Sequence, residues 1–134
     1  MTNKHLFLPI ASLALMIFLL GCGSKENPFT SPKPVGIWTG TWVSSNVISS
    51  GTMSVTIAQS GTTSSGSITM TGSPCFSTGT ITGWTVAGDA VSWSSPEIGN
   101  FAGTISGASI SGSFSVTSAG ACFGDTGIFS VTST

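Results

Sequence analysis

From Val35 to the last residue, Thr134, the chain has no lysine, arginine, histidine or tyrosine. Without lysine or arginine there is no cationic footprint for nucleic acid or for anionic lipid. Without histidine, and with only three acids in that stretch, Asp89, Glu97 and Asp125, little is left for general acid–base chemistry. Hydroxyl side chains abound, but a serine with no base beside it is a poor nucleophile. An enzyme is therefore not expected, and no cofactor is implied. Cysteine is scarce as well, with three residues in the whole chain, Cys22, Cys75 and Cys122. With no histidine beside them and no further thiols, a metal site lacks its ligands.

What is present first is an apolar N-terminal run. Met1 to His5 is polar and carries Lys4, and Leu6 to Leu20 is almost unbroken apolar sequence. About fifteen residues suit a signal-peptide core and fall short of the roughly twenty that span a bilayer. Leu19-Leu20-Gly21-Cys22 resembles the bacterial lipoprotein signal, whose box reads aliphatic, small or aliphatic, Gly or Ala, then Cys. The resemblance implies a signal peptide over 1–21 and a diacylglycerol on the Cys22 sulfur. It also implies cleavage before Cys22 and a fatty acid such as palmitate on the new amine. Several acyl chains give a stable membrane anchor where one would not. Gly23 and Ser24 follow Cys22. The absence of Asp there points to the outer membrane of a bacterial cell envelope.

Residues 22–34 then read as the lipidated Cys and a flexible tether. Gly23 to Pro34 is polar, has three prolines and shows no periodicity. A dozen such residues span roughly 20 Å as a coil and about 40 Å fully stretched.

Residues 35–134 form one domain. Short runs of alternating apolar and hydroxyl residues, cut by Gly every ten to twelve positions or so, signal an all-β fold. Strands are expected near 36–44, 51–59, 63–71, 78–86, 89–94, 100–106, 109–117 and 126–132. The expected architecture is an eight-stranded antiparallel up-and-down barrel, with a β-sandwich as the alternative. Gly-rich echoes such as Gly79-Thr80-Ile81-Thr82-Gly83 and Gly103-Thr104-Ile105-Ser106-Gly107 suggest bends or close backbone approach.

The links after the second, fourth and sixth strands are short, and those after the odd-numbered strands are longer. In an up-and-down meander the odd links share one end. Cys75 and Cys122 both fall in odd links of an exported domain, so they are read as a disulfide. The tether would leave from the tight-turn end. The long-loop rim would face away from the membrane and meet any ligand or partner. Asp89 and Asp125, each after a Gly, read as turn residues, and Glu97 reads as a solvated loop charge.

Several pieces resemble known barrels. Gly40-Thr41-Trp42, then Ser50 to Ile57 and Gly61 to Gly66, look like the first two strands of an avidin. Gly83-Trp84-Thr85-Val86-Ala87 is similar to a central strand of bacterial avidins, whose Trp stacks on biotin. Gly36-Ile37-Trp38-Thr39-Gly40 is a lipocalin-type pattern. The resemblance implies an eight-stranded barrel with a ligand mouth at one end. The chain departs from the avidin pocket in having no Tyr, in placing Val43-Ser44 after Trp42, and in lacking any Trp after Trp93. Biotin binding is therefore not implied.

Two functions remain. Trp38, Trp42, Trp84 and Trp93 on separate expected strands could line a site for a small apolar or neutral ligand. Alternatively they fill the core, and the domain is a structural or partner-binding envelope module. A membrane-spanning barrel is disfavoured by short strands, absent Tyr girdles and a hydroxyl-rich face.

Overall fold

The computed structural model describes residues 34–134. The signal and the tether up to Lys33, with Cys22, lie outside the described residues. Eight strands follow one another: β1 Gly36–Ser44, β2 Ser50–Ser60, β3 Thr63–Met70, β4 Thr78–Ala87, β5 Ala90–Ser95, β6 Gly99–Ser106, β7 Ser109–Val116 and β8 Thr126–Ser133. Each pairs antiparallel with the next, and β1 pairs back onto β8 with Trp42 opposite Phe129 and Val43 opposite Ile128. The sheet therefore closes into an up-and-down barrel, and the sandwich alternative does not occur. Closure removes the unpaired edges that a meander of Ser/Thr-rich strands would otherwise offer to other chains.

Period-two alternation decides what faces in. Met53, Val55 and Ile57 on β2, Ile110, Phe114 and Val116 on β7, and Phe129 and Val131 on β8 are buried. The hydroxyl residues between them point outward. This is the reverse of a membrane-spanning barrel, which is apolar outside and polar within. Among the described residues no helix is long and apolar enough to cross a membrane.

One strand breaks the alternation. Ile81 and Trp84 are three positions apart, yet both are buried. Pairing between β4 and β5 slips between Thr82 and Thr85, and Gly83 sits at φ 61°. That bulge adds one residue to β4 and turns Trp84 inward, which only a residue tolerant of positive φ allows cheaply. Glycine also makes room across the β6–β7 ladder, where Gly103 and Gly112 are register partners. A Cβ at Gly112 would run into the Ala102 carbonyl, and one at Gly103 would lie 3.3 Å from the Phe129 ring. The two strands approach closely there, and Phe129 packs over the gap.

Candidate functional site

The four tryptophans are brought into one interior. Trp38 and Trp42 stand two inward positions apart on β1, the bulge aims Trp84 in from β4, and Trp93 comes from β5. All four are buried. Trp84 stacks on Trp93 with ring centroids 4.9 Å apart. Trp93 lies parallel to Phe101 at 5.1 Å, and Phe101 stacks on Phe114 at 5.8 Å. Phe114 meets Trp42 edge-on at 6.0 Å, and Trp42 reaches Phe76 of the β3–β4 loop at 6.2 Å. These offset and edge-on geometries are the favourable ones for aromatic pairs, and they stabilise beyond plain area burial. Ring follows ring from β4 through β7 to β1, and Phe129 joins edge-on from β8.

The indole N–H groups are less evenly served. Trp42 Nε1 donates to the Thr71 carbonyl at 3.0 Å. Those of Trp38, Trp84 and Trp93 have no partner among the described residues. An unmet buried donor costs about 1–3 kcal/mol, so the interior tolerates a polar cost there that the ring contacts must outweigh.

The long-loop rim is tied shut across its width. Cys75 and Cys122 form a disulfide joining the β3–β4 and β7–β8 loops, with Cα atoms 6.0 Å apart and a sequence separation of 47. The odd-link count thus brings both to one rim, as expected. Ile98, fully buried in the β5–β6 loop, accepts at its carbonyl from the Thr117 and Ser118 amides at 3.0 and 3.2 Å. The rim is therefore a lid of interlocked loops.

Two acids expected to be plain loop residues hold this lid. Asp125, read as a turn residue, is buried with 4 % exposure. The Ser44 hydroxyl lies 2.8 and 2.7 Å from its two oxygens, and the Thr126 and Asn46 amides donate to Oδ1 at 2.9 and 3.3 Å. Ser44 in turn accepts from the Val47 amide at 3.0 Å. The carboxylate thereby joins the β1–β2 and β7–β8 loops. Glu97, read as a solvated charge, is exposed yet held. Thr80 donates to it from its amide at 3.0 Å and from its hydroxyl at 2.9 Å, and Ser95 adds a hydroxyl at 3.0 Å. Its own backbone amide and then these Thr80 donors favour the ionised form and lower its pKa from the ordinary 4.5. Asp89 remains the turn residue it was read as, beside Gly88 at φ 62°. The Asp125 clip has no signal in the sequence, because Asp125 and Ser44 are 81 positions apart, and the Thr80 donors to Glu97 come from a strand 17 positions away.

Two recesses lie on the outer wall. One of about 510 Å³ runs over β5–β7 and is lined outward by Ser92, Ser94, Asn100, Ala102, Ser113 and Ser115. The other, of about 420 Å³, follows the β7–β8–β1 seam past Val43 and Ile128. Among the described residues no three His, Cys, Asp or Glu side chains come together to hold a metal. Set against family models, curated proteins and solved structures, the chain matches none.

Proposed function

We propose that this chain is a bacterial envelope lipoprotein, anchored through lipid on Cys22, whose barrel is a structural or partner-binding module with a filled interior. The observation that carries the reading is the run of ring contacts from Trp84 to Phe76, which occupies the space a ligand would need. The interlocked rim supports it, since a ligand entering there would have to part four loops held by a disulfide and two acids. The lack of His and of basic residues in the domain supports a non-enzymatic role that makes no use of nucleic acid. The lipobox supports attachment to the envelope, and Gly23-Ser24 after Cys22 favours the outer membrane.

A second reading rests on a different observation. The unpartnered indole N–H groups of Trp38, Trp84 and Trp93 favour a small neutral molecule with acceptor atoms in the barrel. One titration separates the two. Tryptophan fluorescence of the purified full chain is followed while biotin, a fatty acid and a hydrophobic dye are added. A filled interior gives no saturable change with any of them. A saturable change with one of them discards the filled-core reading and makes the protein a small-ligand carrier.

A further inference from the structure

The exposed apolar residues are not scattered. Among the described residues the exposed large hydrophobic side chains are Val35, Ile37, Val43, Ile48, Phe123 and Ile128. Val35, Ile37 and Val43 lie at the start of β1 or on its outer face, and Ile128 lies on β8 directly opposite Val43. Ile48 is wholly exposed and Phe123 is 70 % exposed, each in a rim loop attached to one of these strands. The Asp125 clip joins those two loops through Ser44 and Asn46. Every one of the six therefore falls on one side of the barrel, running from base to rim along the β8–β1 seam.

The charges fall on the other side. In a ring closed in the order β1 to β8, β4 and β5 stand opposite β8 and β1. Asp89 is exposed in the β4–β5 turn, and Glu97 is exposed in the β5–β6 loop, bonded to Thr80 of β4. Asp125, the remaining acid of the domain, is buried. The barrel thus has an uncharged apolar side and an acidic side across its diameter.

Sequence supplies the third element. Lys25 and Lys33, the two basic residues after Cys22, both lie in the tether, which enters the barrel at the base of β1. That is the apolar side. Fully stretched, the tether reaches about 40 Å, more than the roughly 30 Å along the nine residues of β1. It is long enough to let the barrel lie down along its length.

From these three placements we infer that the β8–β1 side is a lipid-facing surface, on which the barrel lies against the bilayer that anchors it. The proposal rests on the lipoprotein reading above and names the partner as the bilayer interface. The six apolar side chains enter the headgroup boundary, as the apolar face of an interfacial helix does. Thr39, Thr41, Ser130 and Thr132 between them hydrogen-bond to headgroups and water. The tether lysines pair with lipid phosphates. Asp89 and Glu97 point to bulk solvent, so neither exposed carboxylate of the barrel is desolvated. The long-loop rim then lies beside the membrane rather than facing away from it.

The test uses the full chain in phosphatidylcholine vesicles doped with a phosphatidylcholine carrying a diazirine on its acyl chain. After irradiation, lipid adducts are mapped by mass spectrometry, and the mass of the Cys22 peptide reads its acylation. The expected result is an acylated Cys22 with adducts enriched about tenfold on Val43, Ile48, Phe123 and Ile128 over the hydroxyl wall of β4–β5. Replacing Ile48, Phe123 and Ile128 together with serine should abolish the enrichment and leave acylation intact. Acylated Cys22 with adducts absent or spread evenly overturns the proposal and spares the lipoprotein reading. Unmodified Cys22 with the same enrichment overturns the lipoprotein reading and spares the lipid-facing side. Unmodified Cys22 without enrichment overturns both. Loss of the lipid adducts together with a dimeric mass for the chain in the vesicles assigns the face to a dimer and overturns the proposal.

Discussion

The two ends of the barrel solve the same problem by different means. At the base, β2–β3, β4–β5 and β6–β7 are joined by tight turns, with Gly61, Gly88 and Gly107 at φ 60°, 62° and 59°. Each such turn is set largely by its own backbone, with the Asp89 and Ala108 carbonyls also accepting from the Ile105 and Ser133 amides of neighbouring strands at 2.8 and 2.9 Å. At the rim the loops are longer, and each is tied to another: β3–β4 to β7–β8 by the disulfide, β1–β2 to β7–β8 by Asp125, and β5–β6 to β7–β8 through the Ile98 carbonyl, with Glu97 adding a tie to β4. A long loop costs more to order than a two-residue turn, and this chain meets that cost with cross-links at one end only. Stability should therefore respond unevenly to changes at the two ends.

The largest effect is expected from Cys75→Ala with Cys122→Ala. The bridge closes a loop of 47 residues, for which chain entropy alone is worth about 4 kcal/mol. Urea unfolding of the double variant should show a correspondingly lower midpoint. A loss below 1 kcal/mol would mean that the other ties hold the rim without it.

Next comes Asp125→Ala. Removal leaves the Ser44 hydroxyl and two amides without their acceptor, at a cost of about 3 kcal/mol. An unchanged midpoint would show that these donors re-pair with one another or with water. At the base, Gly88→Ala should cost only about 1 kcal/mol, since the added Cβ meets nothing within 4 Å and only the positive φ is penalised. A base variant as damaging as the Asp125 variant would break the contrast between the ends.

The smallest effect is expected from Glu97→Gln, and it carries a pH signature. The folded pKa of Glu97 lies below its ordinary 4.5, so its contribution is present above the unfolded value. That contribution is lost as pH falls through the folded one. The melting temperatures of the native chain and the variant should differ slightly at pH 7 and converge in acid below the ordinary carboxylate range. A gap that widens in acid would reverse the sign of this account.

Much of the fold was legible because alternation and glycine punctuation are local. Met53, Val55 and Ile57 alternate with hydroxyls over five residues, and that suffices to place a strand and its inner face. Counting odd and even links brought Cys75 and Cys122 to one rim without any contact information. The clips were illegible for the opposite reason. Nothing near Asp125 marks Ser44 as its donor, and the Gly before Asp125 argued for a turn. The Gly83 bulge has a local cause, yet its consequence, an inward Trp84, depends on register with β5. Whether the tryptophans line a cavity or fill it depends on how β1 faces β5 across the barrel, which no alternation encodes. The one-sided placement of Ile48, Phe123 and Ile128 likewise exists only once β8 has closed on β1.

The most direct measurement is solvent exchange of the four indole N–H protons, followed by NMR on the full chain with its disulfide intact, in detergent micelles. If the rim is a lid over a filled interior, the indoles of Trp38, Trp84 and Trp93 should exchange no faster than the slowest backbone amides of β5. They would then open only with global unfolding. Rapid exchange of those indoles while the β5 amides stay protected would contradict the account, because solvent would then reach the interior of a folded barrel.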